Sequence, residues 1–134
     1  MTQYDIDINT ELKELFQVVR GIILSYPYIR EIRNAKQTSY RDEYSTVVMM
    51  RVRGDVLVLA FAKGFKLQEK YSMLEGSGKI VRHLYLRSMA ELDEKLLCEM
   101  IEESLVLNME AYELRAISSM HRNEKKNRDI EDEM

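Results

Sequence analysis

Two groups of residues in this chain have types and spacings that could do chemistry. The first is Gly76-Ser77-Gly78-Lys79, followed by Arg82 and His83. A glycine-rich turn can present backbone N–H groups to an anion, and Lys63, Lys79 and Arg82 would add positive charge. The segment lacks the spacing of a P-loop, and neither serine nor threonine follows the lysine. A second reading competes with anion binding. In it the glycines make a turn into a strand, and Arg82 and His83 make hydrogen bonds that fix loop to sheet.

The second group is Glu99, Glu102 and Glu103, with Glu110 and Glu113 further along the same helical stretch. Carboxylate oxygens suit hard cations such as iron(II), manganese and magnesium. Glu99 and Glu103 are four residues apart and face each other across one helical turn, where like charges repel. The competing reading is a solvated helix face, partly neutralised by Lys95. His83 alternates with Val81 and Tyr85 and reads as a hydrogen-bonded packing residue; His121 reads as solvated. Cys98, beside Leu97, reads as a small core residue. No nucleophile–base–acid signature, HExxH or dinucleotide fingerprint is present. The residues point to a binding protein more than to an enzyme.

These groups need elements to position them. A chain of 134 residues fits one domain with its own core. Residues 1–117 are expected to form it, leaving 118–134 as a charged tail, either frayed helix or disordered. Leu12, Leu15, Phe16, Val19, Ile22 and Ile23 recur at helical spacing after Asn9 and Thr10, which can cap. Pro27 predicts an end near Ser25. A shorter helix is predicted over Tyr28–Lys36. Tyr44–Val52 and Val56–Ala62 read as a hairpin around Gly54-Asp55, with a II′-type turn. The second of these strands is apolar throughout and is expected to be central and covered on both faces, with self-association as one way to cover the second face. Lys63–Gly78 reads as a long loop, and Ile80–Arg87 as a strand. Ser88-Met89-Ala90-Glu91 reads as a capping box opening a helix with the stripe Leu92, Leu96, Met100, Ile101, Leu105, Met109 and Tyr112.

Composition bounds the partners. The net charge of −3 argues against a nucleic-acid partner, while leaving room for a local basic patch. The single cysteine allows no internal disulfide and no CxxC pair, as expected of a cytoplasmic protein in a reducing compartment. Residues 1–10 carry acids and no apolar stretch, so no signal peptide is expected. No apolar run approaches the roughly 18 residues that span a bilayer, so no membrane partner is expected.

The stretch Leu74-Glu75-Gly76-Ser77-Gly78-Lys79-Ile80-Val81-Arg82-His83-Leu84-Tyr85-Leu86-Arg87-Ser88 resembles the hallmark segment of the YdhG-like family of uncharacterised bacterial proteins. Ala60-Phe61-Ala62-Lys63-Gly64 is similar to the strand that precedes it there. The likeness runs from about Leu12 to Met109. One departure is Lys36-Gln37-Thr38-Ser39-Tyr40, which keeps only the aromatic of the family's Gly-x-Pro-x-aromatic segment. The resemblance implies an α+β, frataxin-like fold, with an antiparallel sheet of four to five strands and terminal helices packed on it. It also implies iron handling in some members, hence iron(II) as a ligand and an iron–sulfur assembly protein as a partner. Three functional expectations result: an iron-handling chaperone with weak carboxylate sites, a homodimeric interaction module using Val56–Ala62, and a small-molecule or anion binder using Gly76–His83.

Overall fold

In the computed structural model five strands run antiparallel in sequence order, with helices from both ends of the chain packed on the sheet. This is the expected α+β class. The structure describes residues 1–133; Met134 of the charged tail lies outside the described residues. The elements are α1 (Gln3–Asp7), α2 (Lys13–Leu24), β1 (Arg30–Arg33), β2 (Thr38–Arg41), β3 (Thr46–Arg53), β4 (Val56–Phe61), α3 (Gly64–Leu67), β5 (Arg82–Leu86) and α4 (Glu94–Glu133).

The apolar stripe of α2 forms the helix and fixes its orientation. Leu15, Phe16, Val19, Ile22 and Ile23 are all buried. The hydroxyl of Thr10 accepts from the Leu12 N–H at 3.2 Å, which supports the entry to the helix. Against this stripe the sheet presents Tyr40, Val48, Met50, Leu57, Leu59, Phe61 and Leu86, and α4 presents Leu97, Met100 and Ile101. Burying side chains of this size stabilises the fold by roughly 1.5–3 kcal/mol each. A bulge lets β3 contribute two adjacent valines to the core. Tyr40 pairs with Val48 and Arg41 with Thr46, so Val47 is the extra residue, and both valines are buried.

The hairpin forms as its glycine requires. Gly54 has φ 64, and no non-glycine residue has positive φ, which leaves Asp55 in ordinary backbone as a II′-type turn demands.

Four local expectations are corrected. Residues 30–33 form the edge strand β1 instead of a helix, because pairing with β2 satisfies their backbone and sets Glu31 opposite Tyr40. The stretch after β4 contains α3, and Leu67, Tyr71 and Leu74 plug the core instead of lying in an open loop. Ser88 opens only a 3-10 turn, Met89–Glu91; Leu92 is extended, and α4 is capped by Asp93, which accepts from the Leu96 N–H at 3.1 Å. The stripe of α4 is also shifted. Leu97, Ser104 and Asn108 are buried, whereas Met109 and Tyr112 are exposed. The helix continues as α4 through the charged residues up to Glu133.

Candidate functional site

The ladder register sorts every strand residue to one of two faces. Glu31, Tyr40, Val48, Phe61 and Arg82 stand in one row on the helix-covered side. The alternate residues face away from the helices. Ile32, Ser39, Met49, Ala60 and His83 make one outward row, and Arg51, Val58 and Tyr85 make the next. The charged residues at outward strand positions are Arg30, Arg41, Arg51 and Arg53; no acid occupies such a position.

On this face lies a concavity of about 290 Å³, lined by strand residues and by Lys36 and Gln37 of the β1–β2 connection. Met49, Val58 and Ala60 form its floor. Lys36, Arg51 and Arg53 are exposed and bring cations to its rim. His83 and Tyr85, two residues apart on β5, stack with ring centroids 6.0 Å apart and 20° between planes. The Gln37 amide donates to the Met49 sulfur at 3.2 Å and ties the connection to the floor. The expectation that β4 would be covered on both faces is corrected in this respect. Leu57, Leu59 and Phe61 are fully buried on the helix side, while Val56 and Ala60 stay partly open on the other. Val58 is buried between its row neighbours Arg51 and Tyr85.

The cradle can therefore offer guanidinium and ammonium donors to phosphate or carboxylate oxygens, aromatic faces to a planar group, and an apolar floor to its body. It is also a local concentration of positive charge in a chain of net charge −3. An anion approaching this face meets a field opposite to that of the molecule as a whole.

Of the residues read from the glycine segment, His83 reaches this cradle. Arg82 points to the helix side and is occupied. Its Nε donates to Gln68 at 2.8 Å, and its Nη1 donates to the carbonyls of Gly78 at 2.6 Å and Val81 at 2.8 Å. Glu75 and His83 exchange backbone hydrogen bonds of 2.8 and 2.7 Å, and Gly76 beside them holds φ 135. The segment's arginine and Gly76 thus fix loop to sheet. Gly78 lies at the exposed tip, where a β-carbon would meet open space, and Lys79 is exposed.

Lys63 points elsewhere. It donates to the side-chain Oδ1 of Asn108, and the Asn108 side-chain amide donates to Asp42 at 3.1 Å and to the Ser45 carbonyl at 3.3 Å. Burial pulls the Lys63 ammonium below its ordinary value and Arg115 adds to this, while Asp42 opposes. Lys63 thus ties the β4–α3 junction to α4, and Asn108 ties α4 to the β2–β3 connection.

The helix glutamates do not converge. Glu103 accepts from Lys70 at 2.5 Å, Glu102 is exposed and Glu99 is half-buried. Among the described residues no group of three His, Cys, Asp or Glu side chains is placed to hold a metal ion, and no helix is long and apolar enough to cross a membrane.

Lys36, Met49, Arg51, Arg53, Val58 and Tyr85 were missed as site residues in the sequence. The usable signal was the alternation Met49, Arg51, Arg53 against the inward Val48, Met50 and Val52.

Comparisons with protein-family models, with curated proteins and with solved structures return no match.

Proposed function

We propose that this protein is a non-catalytic binding module that takes an anionic ligand with a planar or apolar body on the open face of its sheet. One observation carries the reading: the outward strand positions hold arginines and no acids, around an apolar floor flanked by the stacked His83 and Tyr85. Arginine recognises phosphate and carboxylate through paired N–H donors, and ring faces accept a planar group. This keeps the sequence expectation of an anion binder and moves its centre from the glycine turn to the sheet.

Iron handling is not favoured by the donor geometry. Among the described residues its three glutamates form no group placed to hold a metal ion, and one is paired with Lys70, so that reading rests on the family resemblance alone.

The test is an amide chemical-shift titration with a nucleoside monophosphate, using the neutral nucleoside and inorganic phosphate as controls. Saturable shifts are expected on β3, β4 and β5 around Met49, Arg51, Val58 and Tyr85, with the monophosphate exceeding either control. Shifts confined to Gly76–Lys79 would return the site to the glycine turn. An absence of shifts with all three probes would remove the anion-binding reading.

A further inference from the structure

The helix α4 runs far past the body it packs on. From Glu113 to Arg128 every residue except Ser118 is exposed. At 1.5 Å per residue, that length projects about 24 Å of helix into solvent. A lone helix of this length, containing Ser118, Ser119, His121 and Asn123, is marginal in water, since helices in proteins are stabilised mainly by packing an apolar face. The projecting part has such a face to pack. Leu114 is 66% exposed, Ile117 63% and Met120 62%, at spacings of three residues.

The charges along α4 say what could cover it. From Glu99 to Glu113 the helix carries Glu99, Glu102, Glu103, Glu110 and Glu113 and no base. From Arg115 to Arg128 it carries Arg115, Arg122, Lys125, Lys126 and Arg128, with Glu124 as the one acid, before the sequence turns acidic again at Asp129, Glu131, Asp132 and Glu133. The change of sign falls at Leu114, beside the exposed apolar residues. The stretch from Glu110 to Lys126 complements itself. A second α4 laid antiparallel about Ile117 would set Glu110 and Glu113 beside the other copy's Arg122, Lys125 and Lys126, with Leu114, Ile117 and Met120 at the crossing. A parallel partner would set like against like along the whole length. Side-chain pairing within the helix does not use up these charges. Among the described residues, Arg128 to Glu124 at 3.9 Å is the one ion pair within α4.

We infer that a second copy of this chain docks here, through two-fold antiparallel pairing of α4 centred near Leu114–Met120. This is an isologous contact, which closes at two copies. It leaves the open sheet face free, and it does not depend on what that face binds.

The test is the mass of the full chain by light scattering and sedimentation, with two charge-reversed variants, E110K/E113K and R122E/K125E. All four positions are exposed, so circular dichroism should find both variants as helical as the parent. The parent is expected to be a dimer that loosens as salt is raised. Each variant alone should dissociate about tenfold more readily, since attraction becomes repulsion across both symmetry-related contacts. An equimolar mixture of the two variants should restore a dimer, because reversed acids then meet reversed bases. A parent that is monomeric at high concentration would overturn the inference. So would a dimer that both variants leave intact, which would place the contact elsewhere, such as on the sheet face. A mixture that stays monomeric would overturn the antiparallel charge pairing.

Discussion

The amide of Asn108 lies 3.1 Å from the carboxylate of Asp42, and both residues are almost fully buried. This contact joins α4 to the connection between β2 and β3 across 66 residues of sequence. Asp42 also accepts from the N–H groups of Tyr44 and Ser45, each at 2.8 Å, so one carboxylate shapes the turn and docks the helix. Replacing Asn108 by Ala would leave Asp42 with an unpaired oxygen and Lys63 without its acceptor. The expected loss is about 2–3 kcal/mol, from the cost of buried polar groups left unsatisfied. Urea unfolding of the variant checks this, and a loss near zero would mean that α4 is held by its apolar contacts alone.

Glu31 is the centre of a second polar cluster. It accepts from Arg20 at 2.6 Å, from Arg33 at 2.9 Å and from the Tyr40 hydroxyl at 3.1 Å. The Arg33 guanidinium lies 3.6 Å from the centre of the Tyr4 ring, which carries the cluster over to α1. Burial pushes the Glu31 carboxyl up, but the bonds from Arg20, Arg33 and Tyr40 together outweigh it and leave the group below its ordinary value. A depressed folded pKa contributes stability that is present above the unfolded carboxylate pKa and lost as pH falls through the folded one. Glu31→Gln is therefore expected to cost about 1–2 kcal/mol at neutral pH, because Arg20 and Arg33 remain partly solvated. The gap to the parent should narrow as the medium is acidified below the normal carboxylate range. Paired denaturation curves at neutral and acid pH measure it.

Asp7 has the opposite sign. Burial pushes its carboxyl up; hydrogen bonds from Gln3 at 2.8 Å and the Val52 N–H at 3.1 Å oppose this, as does Arg51. Its other oxygen is buried without a partner. A raised folded pKa means that ionised Asp7 opposes folding once pH exceeds the unfolded value, and that the opposition disappears as pH falls below it. Asp7→Asn keeps an acceptor for Gln3 and Val52 and removes the charge. It should be more stable than the parent at neutral pH and lose that advantage in acid. An advantage that grows in acid would contradict this reading.

Gly64 is fixed by space. A β-carbon there would fall 2.6 Å from the Arg82 backbone nitrogen, where no flexible side chain can move aside. Gly64→Ala is expected to cost about 2 kcal/mol or more through overpacking where α3 meets β5. A thermal melt gives the number. Gly78→Ala is the control, since a β-carbon there meets open space and should have little effect.

How much was legible in the sequence follows from the range of the interactions. The helix α2 was readable because its five buried residues repeat at helical spacing and Pro27 follows it. The hairpin was readable because Gly54 supplies the positive φ locally. By contrast, Arg30-Glu31-Ile32-Arg33 has no apolar alternation. It is a strand because β2 pairs with it and because Arg20 and Tyr40, distant in sequence, meet Glu31. Lys63–Gly78 reads as open loop because of its breakers Gly64, Gly76, Ser77 and Gly78, although its buried anchors Leu67, Tyr71 and Leu74 stand at the spacing of one helix face. The two faces of β5 are legible in its alternation, whereas the cradle is not. Joining Met49 and Arg51 to His83 and Tyr85 needs the register across β3, β4 and β5, which only the assembled sheet supplies.

The most direct measurement is calorimetric titration of a nucleoside monophosphate into the parent and into R51E/R53E, with an R30E/R41E variant as comparison. Arg51 and Arg53 line the cradle, whereas Arg30 and Arg41 lie on the same face outside it. Binding should be saturable and salt-sensitive and should fall at least about tenfold in R51E/R53E, the scale of losing charge-assisted bonds and adding repulsion. R30E/R41E should weaken it only slightly. Equal loss in both variants would reduce the site to a diffuse basic surface, and unchanged affinity in R51E/R53E would contradict the claim that the open sheet face is where this protein binds.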